Sequence, residues 1–100
     1  MKHAVDLFFA TAKFDSTGPV REDANAGNRF HGEDLARWLV DAMAARWKGT
    51  IDEEDWGWLV SKARGEGDPD RIEMIAVYLD ESAGGAKPAV WRLVLQQKVR

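Results

Sequence analysis

The chain contains no cysteine. That excludes a disulfide framework, a thiolate zinc site and a cysteine nucleophile. It also lacks an excess of charge of one sign. Seventeen acids against fourteen bases give a net charge of −3, spread along the chain with no basic arm and no acidic tail. Nucleic-acid binding rests on Lys and Arg neutralising phosphates, and Arg92, Lys98 and Arg100 are too sparse to supply that. No nucleic-acid partner is expected. No apolar run is long enough to span a bilayer. Lys2 followed by residues 4–12 has the outline of a signal peptide, but Asp6 interrupts it and leaves only Leu7 to Ala12 as an apolar stretch. The expectation is a cytoplasmic protein without a membrane partner. Internal repeats are absent too. Ala83-Gly84-Gly85-Ala86-Lys87 lies between two strands and opens no helix, so a phosphate-cradling loop is missing.

What remains is a chain of 100 residues, 45% apolar and 31% charged, with five tryptophans. The length suits one domain, 1–100, and the composition that of a folded globular chain. His3–Thr11 reads as a strand, with Val5, Leu7 and Phe9 on one face and Asp6 and Phe8 on the other. Asp15–Gly27 carries Gly18-Pro19 and has no periodicity, which marks a long loop. Glu33–Lys48 reads as a helix. Leu35, Trp38, Leu39, Ala42 and Met43 form one stripe, Glu33 and Asp34 sit in the first turn, and Gly49 is placed to end it. The reading puts Arg46 at the rim of the core and Trp47 in solvent. Three strands follow: Asp55–Arg64, Arg71–Leu79 and Ala89–Val99. A dense turn signal at 65–70 separates the first two.

The order β-α-β-β-β predicts an α+β fold: a four-stranded, mostly antiparallel sheet with one amphipathic helix on one face. If the first strand pairs with the second, the helical connection makes that pair parallel. Apolar residues occupy both faces of the strands. Ile75, Val77 and Leu79 lie opposite Met74, Ala76 and Tyr78, and Val90 and Val94 lie opposite Trp91, Leu93 and Leu95. A single helix cannot cover both faces. The cover for the second face is the Asp15–Gly27 loop, a second copy of the chain, or a partner or apolar ligand. A second copy is favoured, with Ile75, Val77, Leu79, Val90 and Val94 as candidate interface residues.

The densest chemical cluster is Asp52-Glu53-Glu54-Asp55-Trp56-Gly57-Trp58. As a site it offers carboxylates for acid–base work beside aromatic walls. Glu54, Asp55, Trp56, Trp58 and His31 are the candidate binding residues, lining a pocket between the helix start and the strand. The structural alternative is stronger. Acids at a strand head are solvated, and Trp56 and Trp58 on one face are core. Gly57 leaves room for an aromatic from a neighbouring strand. Neighbouring carboxylates on a strand point to opposite faces, so only alternate ones could cooperate. This segment lacks calcium-loop spacing, and Glu66, Asp68 and Asp70 stand at alternate positions without a closing bidentate glutamate. No metal, cofactor or catalytic residue is expected. Thr11, Ser16, Thr17 and Thr50 lie in no nucleophile-elbow context.

Gly32, Leu35 and Leu39, followed by Glu54–Trp58 and by Trp91 on the last strand, form a recognisable series. It resembles small bacterial α+β proteins that place a Gly-x-x-Leu-x-x-x-Leu helix before an E-D-W-G-W strand, over roughly residues 30 to 97. The resemblance implies a bacterial α+β domain and transfers no catalytic residue. The favoured functional reading is a non-catalytic module that binds a protein partner or itself, as a homodimer. The alternative is a small enzyme or ligand binder with an acidic, tryptophan-lined pocket.

Overall fold

The computed structural model describes residues 2–45, 48–62 and 71–99. Within them the chain forms β1 (Lys2–Ala10), α1 (Glu33–Met43), β2 (Gly49–Glu54), β3 (Gly57–Lys62), β4 (Arg71–Leu79) and β5 (Val90–Val99), with short 3₁₀ turns at Ala24–Gly27 and Glu81–Ala83. The fold is α+β with one helix and an antiparallel sheet. The sheet has five strands rather than four, in the order β1-β5-β4-β3-β2. The additional strand is β2, whose sequence Gly-Thr-Ile-Asp-Glu-Glu holds a single large apolar residue and so lacks the alternation that marks a half-buried strand.

β2 to β5 form a meander, and β1 lies antiparallel to β5 at the far edge. A parallel pairing of the first strand with the next one therefore does not occur. The connection through α1 carries the chain from one edge of the sheet to the other.

Gly32 sets the approach of α1. It is buried with φ 135°, and a Cβ there would stand 3.1 Å from Trp58 Cδ1 and 3.3 Å from Val77 Cγ1. Only a residue without a side chain lets the helix start this close to β3 and β4. Glu33 and Asp34 open the helix, where negative charge suits the positive end of the dipole. Leu35, Ala36 and Leu39 are buried beneath it. The helix stops at Met43, with the Ala44 N–H turning back to the Asp41 carbonyl, so it ends short of the expected Lys48. Gly49 does not end the helix but begins β2. The readings for Arg46, Trp47 and the 65–70 turn lie outside the described residues.

The register aligns side chains in rows across the sheet. On the helix side one row is Ile51, Val60, Ile75, Leu95 and Val5, and the next is Glu53, Trp58, Val77, Leu93 and Leu7. Trp91 is fully buried in a third row with Leu79 and Phe9. Burial of an aromatic of this size contributes roughly 2–3 kcal/mol. Phe14 closes this end of the core, edge-on to Trp91 at 6.2 Å and to Trp38 at 5.9 Å. Packing of α1 concentrates on β2 and β3, so cover fades along each row towards β1. Val5 is 53% exposed and Leu7 46%.

On the second face the side chains are mostly half-buried beside one another, and Phe8 is exposed. Ala76, 1% exposed, lies between the larger Leu59 and Val94 in the pairing. The Arg92 guanidinium lies 5.6 Å from the Tyr78 ring and 5.8 Å from that of Phe8, and its Nη2 donates to Asp6 at 3.0 Å. The 15–27 loop does not fold over this face. It packs by the helix start and the β2–β3 hairpin, as its hydrogen bonds show.

Candidate functional site

The acid–tryptophan cluster folds as a hairpin. Glu54 pairs with Gly57, leaving Asp55 and Trp56 as a two-residue turn. The acids therefore end β2 and form the turn, instead of opening β3. This also separates the two tryptophans expected on one face. Trp58 is buried on the helix side, where its Nε1 donates to the Phe30 carbonyl at 2.9 Å. Trp56, in the turn, is exposed and lies 5.6 Å from the Tyr78 ring. Gly57 makes that contact possible: a Cβ there would be 3.3 Å from the Val77 carbonyl and 3.6 Å from the Tyr78 ring.

The polar groups of the hairpin are held by the loop. Glu53 accepts from Arg21 Nη2 at 2.7 Å and from the Asn25 N–H at 3.2 Å. Asn25 Nδ2 donates to the carbonyls of Glu54 (2.7 Å) and Gly57 (2.8 Å), and its Oδ1 accepts from the Phe30 N–H at 3.0 Å. Asn28 Nδ2 donates to the Asp55 carbonyl at 2.7 Å. Asn25 is fully buried and has φ 54°, a left-handed conformation that Asn tolerates better than most residues. On the other face, Asp52 accepts from Ser61 Oγ at 3.1 Å. These acids and amides fasten one segment to another.

His31 is half-buried, and its Nε2–H donates to the Gly18 carbonyl at 2.9 Å. Asp15, nearby, accepts from the Gly18 and Thr17 N–H groups at 2.8 and 3.2 Å. Those two hydrogen bonds, Gly18 first, hold its carboxyl below the usual aspartate range; burial opposes the shift weakly, and His31 adds to it. The Asp15 N–H donates to Asp34 Oδ2 at 2.8 Å.

A cleft of about 290 Å³ lies between residues 28–31 and Trp56, Tyr78 and Arg92. His31 and Trp56 line it; Glu54, Asp55 and Trp58 do not. The five candidate binding residues are thus not brought together into one pocket. The five candidate interface residues are divided as well. Ile75 and Val77 are buried in the helix-side core and Leu79 packs against it, whereas Val90 and Val94 are half-buried on the opposite face. Leu79 and Val90 also line an open groove of about 1140 Å³ between the 12–17 and 80–90 segments.

The surface that sequence reasoning missed is the edge of β1. Antiparallel strands alternate between residues bonded to one neighbour and residues bonded to the other. The Thr11 N–H donates to the Ala89 carbonyl at 3.0 Å, in register with the β1–β5 ladder, so odd-numbered residues bond to β5. The N–H and C=O groups of Ala4, Asp6, Phe8 and Ala10 then point out of the sheet. Val5, Leu7 and Phe8, the last 57% exposed, flank this row. Native edge strands are normally blunted by charge, brevity or cover. β2, the other edge, has all three: six residues, three acids and the 3₁₀ turn packed at its end. β1 is nine residues long, and its one charge over 4–10, Asp6, is paired to Arg92. The apolar character of this strand on both faces was readable, but its place at the edge was not.

Comparison with known proteins yields no match: no family model, no curated protein and no solved structure is similar to this chain.

Proposed function

We propose that the protein is a non-catalytic interaction module that binds an extended strand along the edge of β1. The observation that carries this reading is the unblunted row of outward backbone groups at Ala4, Asp6, Phe8 and Ala10, flanked by exposed Val5, Leu7 and Phe8. Main-chain hydrogen bonds supply affinity in such strand addition, and alternate side chains supply specificity. The acid–tryptophan hairpin is, in this reading, a fastening for the loop.

The test titrates a capped peptide with the sequence of residues 2–10, solubilised by a lysine tail, into the isotopically labelled full chain. The expected result is NMR shifts that centre on the amides of residues 4, 6, 8 and 10. Phe8→Pro removes one outward donor without touching the β5 ladder, a position where edge strands accept proline. It should abolish the shifts while leaving the rest of the spectrum in place. At a protein concentration where the chain is monomeric, absence of β1 shifts at millimolar peptide, or shifts that Phe8→Pro leaves intact, overturns the reading.

A further inference from the structure

Resting on that reading of the β1 edge, we infer that its occupant is a second copy of this chain, paired β1 to β1 about a two-fold axis at Leu7. Two identical antiparallel strands that bond through even-numbered residues keep their faces aligned only if the axis passes through a residue. The strand sequence chooses which one. An axis at Asp6 sets the two Asp6 carboxylates directly opposite each other, and like charges so placed are unfavourable. An axis at Val5 sets Leu7 against His3. An axis at Phe8 leaves Val5 and Ala4 beyond the end of the partner strand.

An axis at Leu7 pairs residues 4–10 with residues 10–4. On the helix side it places Leu7 against Leu7 and Val5 against Phe9 of the second copy. On the other face it sets Asp6 beside Phe8 of the second copy and Ala4 beside Ala10. Each Asp6 keeps its own Arg92 partner at 3.0 Å, so the seam holds no unpaired charge. Alpha-helix α1, packed over β2 and β3, stands clear of it. The result is one continuous sheet with both helices on the same face and no open β1 edge.

The cysteine-free sequence makes the test direct, because one introduced thiol can bridge only to its own copy. At a position outside the shared hydrogen bonds, facing Cα atoms are about 4.5 Å apart, within the roughly 4.4–6.8 Å that a disulfide spans. Under mild oxidation Leu7→Cys should form a covalent dimer nearly completely. Val5→Cys and Asp6→Cys, whose partners are Phe9 and Phe8, should remain largely unlinked. The unmodified chain should sediment at twice its 11.2 kDa, and Phe8→Pro should return it to the monomer mass. Stronger cross-linking at position 6 or 5 than at 7 overturns the register. A dimer that Phe8→Pro leaves intact overturns the interface, even if Leu7→Cys does not fold. A monomer that still takes up the 2–10 peptide overturns the second copy while leaving strand binding standing. A monomer that takes up no peptide defeats both.

Discussion

The Asn25 side chain fastens the loop to the hairpin, and replacing it should destabilise the protein severely. Its amide donates twice, to the Glu54 and Gly57 carbonyls, and accepts once, from the Phe30 N–H, with no exposed surface. Asn25→Ala removes these three bonds. A typical internal hydrogen bond contributes about 1 kcal/mol net, and a buried partner left unsatisfied costs about 1–3 kcal/mol. A left-handed backbone disfavours alanine by roughly another 1 kcal/mol. Relaxation of the loop, letting water reach the freed groups, recovers part of the loss. The expected total is about 3–5 kcal/mol, a large share of the roughly 5–15 kcal/mol that holds a domain together. For a chain of this size that corresponds to a fall in Tm of roughly 12–40 °C. Asn25→Asp should be at least as damaging. It keeps size and backbone preference but turns an acceptor towards two carbonyls, close to Glu53. Urea unfolding followed by tryptophan fluorescence measures both, since Trp58 hangs from the same loop through the Phe30 carbonyl. A loss under about 1 kcal/mol for Asn25→Ala, or an Asn25→Asp protein as stable as the parent, refutes the claim that this amide fastens the loop.

Other consequences can be checked with the same unfolding assay. Gly32→Ala should cost about 2 kcal/mol or more, because the added methyl meets Trp58 at 3.1 Å in a conformation alanine avoids; no measurable loss would contradict the close approach of α1. Trp58→Phe should cost about 1–2 kcal/mol more than Trp91→Phe, because Trp58 Nε1 bonds the Phe30 carbonyl whereas the buried Trp91 Nε1 has no partner among the described residues; the reverse order would count against this assignment. Asp15 should titrate below the ordinary aspartate range by NMR, with the Gly18 amide moving in step. Its folded-state pKa is lowered, so the contribution to stability is present above the unfolded-state value and lost as pH falls through the folded one. A midpoint at or above the ordinary value would remove the Gly18 and Thr17 bonds from the account.

Much of the framework was legible because it is written in local periodicity. β4 begins and ends where alternation places it, and the start of α1 follows from Gly32, Glu33 and Asp34. Local pattern failed where tertiary contacts decide. β2 was invisible because an edge strand needs only one half-buried apolar row, and here acids fill the rest. Period-two counting places Trp56 on the Trp58 face because it runs through the Asp55-Trp56 turn without registering it. Phe14 follows the first strand with no local pattern to mark it as core, yet it packs edge-on against both Trp38 and Trp91. Asn25, between two alanines, carried one clue, the tolerance of Asn for left-handed backbone, but nothing local indicates that its amide will meet two carbonyls about thirty residues away. The binding edge was the least legible feature. Strand order is set by which faces the helix and the meander bury, and only that order turns an apolar strand into an exposed one.

Amide hydrogen exchange along β1, measured at rising protein concentration, tests strand pairing at this edge most directly. Leu7 and Phe9, bonded to β5, should be protected at every concentration, while Ala4, Asp6, Phe8 and Ala10 should exchange fast when dilute and slow together as the chains pair. Even-numbered amides whose exchange is fast and indifferent to concentration, under conditions where the chain associates, would contradict it.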